Sequence, residues 1–175
     1  MPFRKPSIIQ YCCFLAHSFS VAEPATIENK AMNQALLQPA LALIIWSLII
    51  WIWMYCLRIP AMKQAGIDPN DGKHPGSLNG LPSDARAVAD NYNHLHEQPT
   101  IFYALIFYSH LMELADHGAG GDISIILAWA YVGFRVLHSF IQNTSNVVMV
   151  RFAVFVLSNF CLFGLVAVNL AVNFD

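Results

Sequence analysis

The chain alternates long apolar runs with short polar connections, and the runs are too long for strands. Ala35 to Leu57 carries no charge. A helix needs about 20 apolar residues to cross a hydrocarbon core of ~30 Å, so a first transmembrane helix is predicted over about residues 35–57. Trp46, Trp51, Trp53 and Tyr55 gather in its second half, and Arg58 follows. From Ile59 to Ser83 the chain is polar and broken by Pro60, Pro69, Gly72, Pro75, Gly76 and Gly80, which predicts a loop rather than continuous helix. A second helix is predicted over about 84–115, with Ser83 or Asp84 as its N-cap. Its first turns are polar, and from Pro99 to Met112 it is uncharged. Pro99 removes a backbone N–H, and a membrane bundle tolerates this as a bend. After His117 to Gly121, a third helix is predicted over about 123–142, capped by Asp122. The polar turn Asn143 to Asn146 leads into a fourth over about 147–172.

These elements predict an all-α integral membrane protein, an antiparallel bundle of four transmembrane helices. Composition agrees. Of 175 residues, 57% are hydrophobic and 11% charged, with a mean hydropathy of +0.50, whereas soluble domains carry about 25% charged residues. The net charge of −2 and the lack of a basic stripe exclude nucleic acid as a partner. Cys12, Cys13, Cys56 and Cys161 have neither metal-ligand nor disulfide-framework spacing. His94 and His96 are two apart and point to different helix faces, so no metal site is expected.

Residues 1–31 have a different character. Arg4 and Lys5 precede an apolar stretch, and Ser20-Val21-Ala22 resembles a small-residue cleavage site. Two readings stand: a signal-like segment, or an extension upstream of a true start at Met32.

Basic residues set the expected orientation. Arg58, Lys63, Lys73 and Arg86 lie in or beside the first long loop, and Arg135 and Arg151 flank the turn between helices three and four. The connection between helices two and three and the C-terminal end hold no Lys or Arg. The positive-inside rule then places the long loop in the cytoplasm and both ends of the four-helix core outside. The expected location is a bacterial inner membrane.

Ionisable groups inside membrane helices are costly and mark functional sites by default. Glu97, Arg135, His138 and Arg151 all fall in the cytoplasmic half. Arg135, His138 and Gln142 share one face by their spacings of three and four, as do Asn93 and Glu97 by theirs of four. The simplest way to satisfy Glu97 and Arg135 in low dielectric is to pair them across neighbouring helices. Such charges could equally be structural glue that locks helix register.

The run Asn93 to Tyr103, with Glu97 and Pro99, resembles the second-helix signature of the MAPEG family, the membrane-associated proteins of eicosanoid and glutathione metabolism. Arg135, His138, Gln142 and Arg151 resemble the family's third and fourth helices in their spacing. The resemblance covers about residues 32–175. It implies a homotrimer with sites between subunits, open to the cytoplasm, where glutathione acts as co-substrate on lipophilic electrophiles arriving from membrane lipid. By that resemblance Asn93, Glu97, Arg135, His138 and Gln142 would hold glutathione, and Arg151 would stabilise its thiolate. The sequence departs from the family twice. Asp90 to His94 stand where eicosanoid members carry arginines, and Gln142 stands at a tyrosine position. The alternative reading is a non-enzymatic bundle that binds lipid or a partner membrane protein.

Overall fold

The computed structural model of the protein describes residues 34–68, 70, 72, 76–114 and 117–174. The expectations for residues 1–31 lie outside them. The described residues form five long helices: α1 Gln38–Ala65, α2 Ser83–Glu97, α3 Pro99–Leu111, α4 Ala119–Asn143 and α5 Val148–Phe174. The helices α1, α4 and α5 are each long and apolar enough to cross a membrane. The second crossing expected from the sequence is divided between α2 and α3, which meet at Gln98.

Burial is inverted relative to a water-soluble bundle. Leu41, Leu111, Phe160 and Phe163 face outward, while Asn91, Ser109, Ser124, Arg135, Ser139, Gln142 and Asn169 are buried. Buried polar groups inside and large apolar groups outside suit a chain whose solvent is lipid. Three of the buried serines are satisfied within their own helix. Ser47, Ser109 and Ser124 donate to carbonyls four residues back, at 2.8–2.9 Å.

Successive crossings run antiparallel. As residue number rises along the second crossing it falls along α4. Asn91 meets Ser139 at 2.9 Å, Gln98 meets Arg135 at 2.8 Å, and Phe102 stacks on Tyr131 at 4.3 Å. The most extensive pairing is α4 with α5. There Gly164 permits a close approach: a Cβ at that position would lie 3.0 Å from Leu127 Cδ1.

Several boundaries differ from the sequence expectation. The first helix does not stop near Leu57. It continues to Ala65 with Pro60 inside it. Pro60 removes one N–H near the membrane exit but does not end the helix. The stop is Gly66, at φ +65, where Gly66 N–H bonds Lys63 O and Ile67 N–H bonds Met62 O. That is a Schellman-type closure, which favours glycine because it needs a left-handed backbone. The second helix ends at Leu111 rather than 115, and it is interrupted at Gln98, next to the expected bend at Pro99, where the backbone keeps helical angles of φ −74 and ψ −35. The third begins at Ala119, so Asp122 lies in its first turn and is not the cap; Gly118 is. Pro82 holds the N-cap position of α2, and Asp84 Oδ1 accepts from its neighbour's N–H on Ala85.

Candidate functional site

The 13 residues of α3 span about 20 Å at 1.5 Å per residue, less than the ~30 Å hydrocarbon core. The last turns of α2 must therefore lie at membrane depth. Those turns carry Asn91, Asn93, His94, Glu97 and Gln98, which makes their polar atoms expensive unless partnered.

Two faces of the second crossing divide this polar load. Val88, Asn91, Leu95, Phe102, Ile106 and Ser109 are buried, at spacings of three and four except at the Gln98 break. On another face, Asn93, His94 and Glu97 are exposed on the single chain.

The buried face meets α4. Arg135, 1% exposed, donates from Nε to Tyr131 OH at 3.1 Å and from Nη2 to Gln98 Oε1 at 2.8 Å. Its guanidinium carbon lies 5.5 Å from the centre of the Tyr131 ring and 5.2 Å from that of Phe155. Two aromatic faces and two oxygens thus enclose the charge. The expected Glu97–Arg135 pair does not form. Glu97 sits about 100° round the helix from Gln98, so its carboxylate points outward, 67% exposed, and contacts His94 Nδ1 at 3.1 Å. A neutral amide takes the place expected for a carboxylate.

One turn further along α4, His138 Nδ1 lies 3.0 Å from Arg151 O. A carbonyl only accepts, so Nδ1 carries the proton and Nε2 of a neutral ring is an acceptor. The His94 ring is 6.3 Å from the His138 ring, nearly perpendicular to it. Glu97 and His94 of α2, His138 of α4 and the Arg151 backbone of α5 thus lie in sequence, with a ring contact rather than a hydrogen bond between the two histidines. Arg151 is half-buried, and its Nη1 donates to Asn146 Oδ1 at 3.0 Å. Its other donors are available to an anion. Gln142, 1% exposed, lies one turn beyond His138, and its Oε1 has no protein partner; the same is true of Asn91 Nδ2. These atoms are one acceptor and one donor with unused capacity at the same end of the bundle.

The structure thus brings His94, bonded to Glu97, against the His138 ring, bonds His138 to the backbone of Arg151, buries Arg135 and Gln142, and leaves Asn93 outward. His96 turns elsewhere, with Nδ1 2.8 Å from Tyr92 O. Sequence reasoning missed Gln98, Asn91 and Ser139. The three-and-four periodicity of Val88, Asn91, Leu95, Gln98 and Phe102 was the signal that could have found the first two.

Comparison with known proteins gives one match: the sequence model described as MAPEG family covers residues 36–171. No curated protein and no solved structure matches.

Proposed function

Because the chain belongs to the MAPEG family, and so to a family of membrane proteins, we propose that it is a glutathione-dependent transferase or peroxidase acting on lipophilic electrophiles. The site faces the cytoplasm and is closed between subunits of a homotrimer. The observation that carries this reading is the exposure of Asn93, His94 and Glu97 on a single chain, at a depth where a polar face against lipid is costly. A second copy of the chain and a polar ligand would cover that face together.

Glutathione offers an amine, two carboxylates and a thiol. Glu97 suits the amine and Asn93 the peptide groups. Arg151, half-buried and with donors to spare, suits the thiolate, whose negative charge a nearby guanidinium stabilises. Arg135 is already committed to Gln98 and Tyr131. It and His138 hold the α2–α4–α5 contact behind the ligand, and Gln142 Oε1 offers an acceptor to a donor on it. In conjugation the thiol proton passes to water and the sulfur forms a bond to the electrophilic carbon. The leaving group departs with its electron pair.

One observation favours a second reading, structural glue, for part of the cluster. Arg135 is satisfied within the chain and closed off from solvent.

Glutathione binding to the detergent-purified protein, followed by calorimetry with an ultraviolet difference spectrum for thiolate, tests the proposal. Saturable binding with a thiolate band is expected, and Arg151→Ala should abolish the band without disrupting assembly. Absence of binding at millimolar glutathione would sink the reading and leave the glue interpretation.

A further inference from the structure

A second polar feature lies outside that cluster. Between the end of α1, the α2 helix and Gly72, Gly76, Leu78, Asn79 and Leu81 is a cavity of about 700 Å³, within the ~300–1,000 Å³ common for small-molecule sites. Arg58 and Arg86 both line it. Arg58 follows directly on the charge-free run of α1, which puts its guanidinium where hydrocarbon gives way to headgroups. Arg86 lies in the first turns of α2 and is exposed.

Among the described residues, neither guanidinium forms an ion pair or a side-chain hydrogen bond. That is notable for Arg86. Asp90 stands one turn along on the same helix and also lines the cavity, yet the two do not pair. Among the described lining residues, two arginines stand against one carboxylate, Asp90. Tyr55, Tyr92 and Asn79 add donors, and Met54, Leu78 and Leu81 give one wall an apolar surface. The planar fork of arginine matches the oxygens of a phosphate group and binds them bidentately. Polar donors beside an apolar wall, at headgroup depth, suit a phosphate carried on an amphiphile.

We propose that the α1–α2 cavity binds a phosphate-bearing anion at the membrane surface, supplied either by the headgroup of an acidic phospholipid or by free phosphate. The inference does not require the glutathione reading, although the cavity adjoins that site at Asn93. Arg135, His138, Gln142 and Arg151 line no part of this cavity, and Asn93 is the one residue shared.

The test uses the full chain in nanodiscs at constant ionic strength, read as the thermal midpoint. Three conditions are compared: phosphatidylcholine alone, phosphatidylcholine with phosphatidylglycerol, and phosphatidylcholine with inorganic phosphate. A rise with phosphatidylglycerol alone supports the lipid source. A rise with inorganic phosphate supports the soluble one. The concentration giving half the rise should increase roughly tenfold or more for each arginine removed, in Arg58→Gln and Arg86→Gln. Lys63→Gln, an exposed basic residue of α1 outside the cavity, should leave the rise unchanged. No rise with either anion overturns the proposal. So does a rise that survives both arginine substitutions, or one that Lys63→Gln removes equally, since either would mean general surface charge. Arg86→Gln alone, at an exposed position, carries the test if the double variant does not assemble.

Discussion

Gln98 Oε1 accepts from Arg135 Nη2 at 2.8 Å, and this bond ties the break in the second crossing to the one fully buried cation of α4. Its neighbours in sequence do other work. Glu97 turns outward to His94, and Pro99 opens α3. The roughly 100° between neighbouring helical residues thus lets Glu97 and Gln98 serve different faces.

Gln98→Leu should therefore destabilise the bundle by about 1–3 kcal/mol, because it leaves a buried guanidinium donor without its acceptor. Gln98→Glu should recover much of that loss by restoring an acceptor. Thermal or denaturant unfolding in detergent micelles measures both. A neutral Gln98→Leu would mean that Arg135 finds another partner.

Glu97→Gln should leave the thermal midpoint nearly unchanged, since exposed positions usually alter stability by less than about 0.5 kcal/mol. If the carboxylate holds the amine of glutathione, affinity should fall about tenfold, the loss of one charge-assisted contact of ~1.5 kcal/mol. Calorimetric titration of the variant against the parent decides it.

At the other end of the bundle, Asn169 Nδ2 donates to Ser109 Oγ at 2.9 Å and to Leu165 O at 2.8 Å. A double-mutant cycle of Ser109→Ala and Asn169→Leu should give a coupling near 0.6 kcal/mol, and no more than about 1.7 kcal/mol, as for other interhelical bonds in membranes. A coupling indistinguishable from zero would show that the pair does not hold α3 to α5.

Gly164 sets the distance between α4 and α5. Gly164→Ala puts a Cβ 3.0 Å from Leu127 Cδ1, the end of a flexible side chain that can move, so a cost below about 1.5 kcal/mol is expected. Gly164→Leu should cost about 1–3 kcal/mol through overpacking. Leu127→Ala should relieve part of that penalty if the clash is where the geometry puts it.

Crossings one and four were legible from their charge-free runs and crossing three from its long apolar stretch around a single Arg135, because lipid leaves a helix no way to satisfy its backbone except internally. The end of α1 lies beyond its charge-free run, because neither Arg58 nor Pro60 stops a helix already formed. Pro60 costs one bond, whereas Gly66 offers the left-handed closure that stops the helix. The polar residues Asn93, Glu97, Arg135, His138, Gln142 and Arg151 stood out because ionisable and amide groups are rare at membrane depth. Their partners did not. Charge complementarity pointed from Arg135 to Glu97, but helix rotation past Gln98 gave the bond to the amide.

The chain's composition and the length of its apolar runs were enough to establish a membrane bundle, because the thickness of the hydrocarbon core sets how long a crossing must be. The spacing of polar residues was enough to say which lie together on one helix. Which helix face meets which neighbour depended on packing. A rotation of 100° separates a buried residue from an exposed one, and no single-helix pattern reports that angle relative to another helix. Folding therefore enclosed Arg135 with Gln98, Tyr131 and Phe155, turned Glu97 outward, and set Arg58 and Arg86 across one cavity.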